Sequence, residues 1–502
     1  MSVQLSGRSP SATPARTTST RRPDADLPGR LALSAAAARG VHLSTTEFRE
    51  WFAAHRREGH YRVTRAPLAA LDGWSFEAAS GNLVHRSGRF FSVIGAGIRS
   101  DSGPVTAWHQ PILDQPEVGV LGILAKEFDG VLHFLMQAKM EPGNSNVLQL
   151  SPTVQATRSN FTRVHGGAVV KYIEYFTTAG RGRGRVLADS LQSEVGTWFL
   201  QKSNRNMVVE VFDEVPLHDG FVWLTLSQIA ALLCEDNVVN MNARSVLACL
   251  PVGPADPADG GAGGRDEFAR ALDRSWDPAS PALHSDLDVL SWLTGERARR
   301  DLVTCPVPLA GLPGWRVDDD AIRHEAGRYF EVVGVDVEAG SREVTTWSQP
   351  LLAPVGTGVA AFLAAPVDGV LHVLVQARPE AGLHNTVQLA PTVQCTAANF
   401  DWLPPERRPA FLGTVLAADA AAIRYEAVHA EEGGRFLGAE SRCLVVEVPA
   451  DAVAEEPPGH RWVTLAQLSS FVRYEQYVNS QARTLLSCLI PATVATWRHT
   501  RS

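Results

Sequence analysis

The chain predicts an α+β protein built twice in tandem, and three observations carry that prediction. The first is an internal repeat. Residues 128–157, FDGVLHFLMQAKMEPGNSNVLQLSPTVQAT, return as residues 367–396, VDGVLHVLVQARPEAGLHNTVQLAPTVQCT, with about three positions in five identical. The second is its reach. GRFFSVIG (88–95) returns as GRYFEVVG (327–334), TAWHQP (106–111) as TTWSQP (345–350), and WLTL (223–226) as WVTL (462–465). NVVNMNARSVLACL (237–250) returns as QYVNSQARTLLSCL (476–489). A period of roughly 239 residues is a duplicated domain, not a solenoid. The third is the local pattern, in which period-two alternation and helical spacing both occur within each copy.

The order of elements follows from composition. Residues 1–40, basic and rich in Ser, Thr and Pro, are expected to be a disordered tail, since they hold no apolar core for a signal peptide. The first repeat is placed at 41–251, a Pro/Gly/Ala-rich linker at 252–284, and the second repeat at 285–492. Each copy opens with a helical stretch marked by Trp51 or Trp292, followed by Trp74 or Trp315 and by strand-like runs. In 131–139, Leu132, Phe134, Met136 and Ala138 point one way, while His133, Gln137 and Lys139 point the other. After a turn, Leu148, Leu150 and Val154 are expected on one side, with Gln149, Thr153, Gln155 and Thr157 opposite. Each copy closes with a helix, in the first case burying Val239, Ala243, Val246, Leu247 and Leu250.

Bulk numbers exclude several classes. The 502 residues carry a formal charge of −8, which argues against a nucleic-acid partner. No apolar run approaches the roughly 18 residues of a membrane span. The six cysteines lack CxxC spacing, so no zinc site or disulfide framework is indicated. Cys249 and Cys488 read as buried reduced thiols, and a cytoplasmic location is the simple expectation.

Three constellations could carry chemistry. The polar sides of the two central strands would form a wall of neutral hydrogen-bonders with one cation. It holds His133, Lys139, Gln149, Thr153 and Gln155 in the first copy, and His372, Arg378, Gln388, Thr392 and Gln394 in the second. Such a wall suits a sugar ring beside a phosphate; its bland alternative is a solvated sheet face. The closing helices offer Asn240 with Arg244, and Asn479 with Arg483, as a guanidinium fork for a diphosphate or as structural ion-pair partners. A helix-like run is expected before Glu194, and RYEAVHAEEGGRFL (424–437) answers it with Glu431 and Glu432. This faintly resembles the Nudix signature, broken in both copies, and no hard-metal site is expected without its carboxylate cluster. Trp108 and Trp347 are read as core packing in preference to base stacking.

Several long strings match one family in order. FLMQAKMEPGN, QLSPTVQAT with SNFT following, LQSEVGTWFLQKSNRNMVVEV and DNVVNMNARSVLACLP resemble the NDP-hexose 2,3-dehydratases of bacterial deoxysugar assembly. The resemblance runs from about Phe48 to Leu489. It implies a homodimer of subunits with two tandem Nudix-like domains, and loss of water from dTDP-4-keto-6-deoxy-D-glucose to give a 3,4-diketo-2,6-dideoxy sugar nucleotide. It also implies a separate NADPH-dependent 3-ketoreductase that traps the product, and no cofactor in this chain. The first copy is expected to be catalytic because it is richer in polar groups. Glu194 or His133 would be the base, and Lys139 or Arg205 would meet the diphosphate or ketone. Asn144, Asn146, Gln149, Thr153, Gln155, Asn206, Asn240 and Arg244 would contact substrate. Arg378, Asn385, Gln388, Gln394, Arg442 and Arg483 would do so in the second copy. The competing expectations are a non-catalytic nucleotide-sugar-binding protein and a nucleotide-sugar diphosphate hydrolase.

Overall fold

In a computed structural model, residues 26–157, 169–177, 184–254, 266–340, 344–453 and 456–490 are described. They form a mixed α+β structure with four sheets. Each repeat has a seven-stranded mixed sheet whose centre is a long hairpin, Gly119–Phe128 with Val131–Met140 in the first and Gly358–Val367 with Val370–Pro379 in the second. The closing helices Met241–Leu247 and Ser480–Cys488 pack against each other between these sheets. One apolar core therefore runs through both repeats, joining Phe134, Leu224 and Val246 to Phe362, Val463 and Leu486.

Each hairpin is forked. Residues Leu124–Phe128 pair with Val131–Leu135, but beyond them the prongs separate, one taking strand Leu148–Pro152 and the other Val154–Ala156. Thr153 wedges the fork: its hydroxyl accepts from Leu124 N (2.9 Å) and donates to the Leu135 carbonyl. Thr392 does the same between Leu363 and Leu374. This corrects the expected register. The chain changes partner at Thr153, so Leu148 and Leu150 face the shared core while Val154 joins Leu124, Leu135, Trp223 and Phe176 on the opposite face. The polar wall is likewise not open, because that second apolar cluster covers most of it.

The repeats also exchange strands. Tyr61–Ala66, from the first, runs antiparallel to Phe330–Ala339, and Leu302–Val307, from the second, runs antiparallel to Ser92–Ser100. Two smaller sheets thus each contain a strand of the other repeat, so the boundary at 252–284 does not separate self-contained folding units.

Three further expectations are corrected. Within the expected tail, Leu27–Ala36 is a helix that buries Leu27, Leu31 and Ser34; residues 1–25 lie outside the described residues. Within the expected linker, Glu267–Ser275 is a helix capped by Asp266, while 255–265 lie outside the described residues. The run before Glu194 is strand Gly184–Ser193, held by antiparallel pairing with Ser203–Val211, and Ile423–Ala430 is its counterpart. Among the described residues no helix is long and apolar enough to cross a membrane.

Candidate active site

At the open end of the first fork lies a cleft of about 370 Å³. Strand Val131–Met140 delivers Lys139 and the following turn delivers Glu141; Gln155, Lys202, Asn204 and Asn242 complete one wall. The other wall belongs to the second repeat: Glu432, Gly434, Arg435, Trp347 and Gln349. Trp74, His85, Arg86, Phe90 and Phe91 form an aromatic and basic mouth.

Reciprocal docking of two turns holds the walls together. Gly143 donates its N–H to the Gly433 carbonyl (2.7 Å), and Gly438 donates to the Gly143 carbonyl (2.8 Å). A β-carbon at Gly143 would stand 1.6 Å from the Phe436 carbonyl oxygen, so the contact requires glycine. The pseudo-equivalent turn at Gly382 makes the same bond to Gly196 (2.7 Å).

Among the described residues the two halves differ in charge at the docked turns. Overlay of the two repeats along these hydrogen bonds sets Lys202 against Ala439, Glu432 against Val195 and Arg435 against Trp198. Where Arg435 lies 4.3 Å over the Phe91 ring, Trp198 instead packs on Phe436 at 4.7 Å. The second copy retains Arg378 and Glu380, but they pair with each other at 3.0 Å.

The buried charges of the first cleft perturb one another. Burial lowers the Lys202 ammonium to about 8, opposed by the attraction of Glu194 and Glu432. Burial raises the Glu432 carboxyl to about 7, reinforced by Glu194 and Glu141 and opposed by Arg435 and Lys202. The Lys202 ammonium donates to the Glu117 carbonyl. An acid and a base that both titrate near neutrality, side by side in a cleft, suit proton transfer.

The sequence-derived residues divide three ways. Lys139 and Gln155 line the cleft. Asn240 stands behind it: it caps its helix by accepting from Ala243 N (2.8 Å) and donates to Gln155 Oε1 (3.0 Å), and Gln155 in turn donates to Glu141 Oε1 (2.7 Å). Glu194 also stands behind the wall, with Oε1 accepting from Asn204 at 2.6 Å. Asn144 is buried in the docking turn, its amide donating to the Val147 carbonyl (3.3 Å).

The remaining residues are committed elsewhere. His133 accepts from Val41 N (2.9 Å) and binds the Val131 carbonyl (2.9 Å), outside the cleft; burial holds its pKa down. Asn146 and Asn385 each donate to a backbone carbonyl at 2.7 Å, and Gln149 and Gln388 donate to them. Arg205 forks onto Asp189 at 2.8 and 2.7 Å, and Arg442 binds Glu426 at 2.6 Å. Asn206 donates to Ser245 (2.7 Å), and Gln394 donates to Glu380 (2.9 Å). Arg244 and Arg483 join the two repeats: Arg244 donates to the Ala430 carbonyl (2.7 Å), and Arg483 to the Ser193 carbonyl (2.6 Å). Both are 1% exposed, so neither guanidinium reaches the cleft.

Sequence reasoning gave no site role to Glu141, Lys202, Asn204, Asn242 or Arg435, named Glu432 only within the broken Nudix-like run, and read Trp347 as core although that side chain lines the cleft. The available signal lay in the positions where charge differs between copies, which a residue-by-residue overlay of 192–211 on 429–448 exposes.

Comparison with known proteins identifies the family. The sequence model of the NDP-hexose 2,3-dehydratase family matches residues 45–250 and 286–489, one segment per repeat. The chain is 52% identical over 469 residues to a dTDP-4-dehydro-6-deoxy-alpha-D-glucopyranose 2,3-dehydratase of Amycolatopsis orientalis, covering 92% of this chain and 94% of the relative. Proteins of the same name from Streptomyces violaceoruber and Saccharopolyspora spinosa are 50% and 48% identical, each over 89% of this chain and over 97% and 91% of their own lengths.

Proposed function

Because the chain belongs to the NDP-hexose 2,3-dehydratase family, we propose that the composite cleft dehydrates dTDP-4-keto-6-deoxy-D-glucose between carbons 2 and 3. The enzyme is a lyase of deoxysugar biosynthesis. The observation that carries the site assignment is the juxtaposition of Lys202 and Glu432, one from each repeat, in the first cleft alone.

The carbon 3 hydrogen is acidic because it adjoins the carbon 4 ketone. Glu432, as carboxylate, takes that proton, and the bonding pair forms the enolate. Lys202, as ammonium, steadies the enolate oxygen electrostatically. Collapse of the enolate restores the ketone, forms a carbon 2–carbon 3 double bond and expels the carbon 2 hydroxyl, which leaves as water after protonation. The resulting enol tautomerises to the 3,4-diketo-2,6-dideoxy sugar. Arg435 and Arg86 face the diphosphate, and the Trp74–Phe91 mouth takes the thymine. Glu194 acts through its field on Lys202 and Glu432.

The 3,4-diketone is reactive, which supports a partner 3-ketoreductase that uses NADPH. A homodimer, a cytoplasmic location and descent of both halves from a Nudix-like unit are the family expectations carried forward. The two family-matched segments support the duplication. A monomer by sedimentation, export to the medium, or an experimental structure unlike Nudix folds would overturn these in turn.

The test is a coupled assay with dTDP-4-keto-6-deoxyglucose, a 3-ketoreductase and NADPH, run with and without EDTA. Formation of a 2,6-dideoxy-4-keto sugar in both arms is expected. Tight binding without product would favour a binding protein, and release of TMP a hydrolase.

A further inference from the structure

Glu141 is 3% exposed and lines the cleft, yet only one of its oxygens is engaged. Oε1 accepts from Gln155 (2.7 Å), whereas Oε2 is buried with no hydrogen-bond partner among the described residues. A buried carboxylate oxygen without a partner is costly, so its retention needs a reason. The twin removes the fold as that reason. Glu380 keeps the same bond from Gln394 (2.9 Å), but its other oxygen accepts from Gly196 N (3.2 Å) and Arg378 closes on Oε1 at 3.0 Å. The same turn can therefore satisfy its glutamate fully, and in the working cleft it does not.

Glu141 shares the Gly434 edge of the cleft with Glu432. A β-carbon built on Gly434 would lie 3.2 Å from Glu432 Oε1 and 3.5 Å from Glu141 Oε1, so both carboxylates flank the Gly434 main chain. Lys202, Glu194 and Arg435 are the other charged groups acting on Glu432, and Lys139 shares the wall. The Glu141 charge adds to the burial and the Glu194 charge that make Glu432 harder to ionise.

We propose that Glu141 is the acid of the elimination, delivering its proton to the departing carbon 2 hydroxyl while Glu432 receives the proton from carbon 3. The inference rests on the dehydratase reading above. The step balances within the pair. Carbon 3–hydrogen and carbon 2–oxygen bonds break, a carbon–carbon double bond and water form, and the carboxylates exchange roles. Passage of the proton from Glu432 back to Glu141 restores the site. Asn240 and Gln155 are positioning residues that aim Glu141 through Oε1.

The experiment separates the two half-reactions. Wild type, Glu141→Gln and Glu432→Gln are incubated with dTDP-4-keto-6-deoxyglucose in D₂O, reading deuterium at carbon 3 by NMR and dideoxy product by the coupled assay. Glu141→Gln should still exchange the carbon 3 hydrogen while elimination falls by at least about 100-fold. Glu432→Gln should lose both. Elimination within about 3-fold of wild type, or loss of exchange together with elimination in a folded Glu141→Gln protein, overturns the assignment. If Glu141→Gln does not fold, Gln155→Met keeps the carboxylate and releases its aim. Exchange should then outlast elimination, and equal loss of both overturns the inference. Wild type that performs neither half-reaction defeats the dehydratase reading itself.

Discussion

Gln155 donates its side-chain amide to Glu141 at 2.7 Å, and Gln394 makes the matching bond to Glu380 at 2.9 Å. The duplicated bond serves different ends, because only Glu141 borders a cleft that also holds Lys202, Glu432 and Arg435. Each repeat therefore supplies a control for the other, and the predictions use that pairing.

Asn240→Ala should lower stability by about 1 kcal/mol through loss of the helix cap, and should also lower kcat because Gln155 loses its anchor. Asn479→Ala removes the equivalent cap and should cost similar stability with kcat little changed. Thermal denaturation and coupled kinetics on both variants check the contrast.

The pH dependence follows from the two shifted groups. Glu432 must be ionised, so kcat/KM should rise as pH increases through about 7. Lys202 must be charged, so it should fall as pH increases through about 8. Lys202→Met should remove the ammonium's contribution to the alkaline limb and reduce kcat/KM by about 100-fold or more.

Stability should respond in the opposite sense to activity at Glu432. Its folded pKa is raised above the unfolded value, so the folded state holds the proton more tightly between about 4.5 and about 7. That contribution is lost as pH rises through the folded value, and the cost of the buried anion is fully present above it. Glu432→Gln should therefore raise the melting temperature more at pH 8 than at pH 5, as calorimetry at the two pH values would show.

Arg378→Ala should leave turnover near wild type, because that guanidinium is spent on Glu380 in the half without the charged cleft. Arg435→Met should raise KM with a smaller effect on kcat, through lost contact with the diphosphate. Steady-state kinetics on both variants decide; a dead Arg378→Ala enzyme would move the active site to the second half.

Gly143→Ala should disrupt the cleft, since the new methyl would overlap the Phe436 carbonyl. Loss of both activity and cooperative melting is expected. An active, stable variant would show that the two turns do not need their close approach.

The duplication, the mixed α+β character and the closing helices were legible because they rest on repetition and on apolar spacing within single segments. Val239, Ala243, Val246, Leu247 and Leu250 are buried as their spacing requires. The strand exchange was not legible, because nothing in Tyr61–Ala66 or Leu302–Val307 marks which repeat it pairs with. Arg244 and Arg483 illustrate the same limit: a buried arginine bound to carbonyls across an interface reads, one chain segment at a time, like a phosphate ligand. Lys139 and Gln155 were found on their strand face, but Glu432 and Arg435 come from a turn of the other repeat, 277 to 296 residues away in sequence.

The most direct measurement is the turnover of dTDP-4-keto-6-deoxyglucose by Glu432→Gln, with melting recorded on the same sample. The composite-cleft account predicts a folded protein whose turnover is reduced by at least about 100-fold, although its first repeat is unaltered. Turnover within about 3-fold of wild type would contradict it and return the base to the first repeat alone.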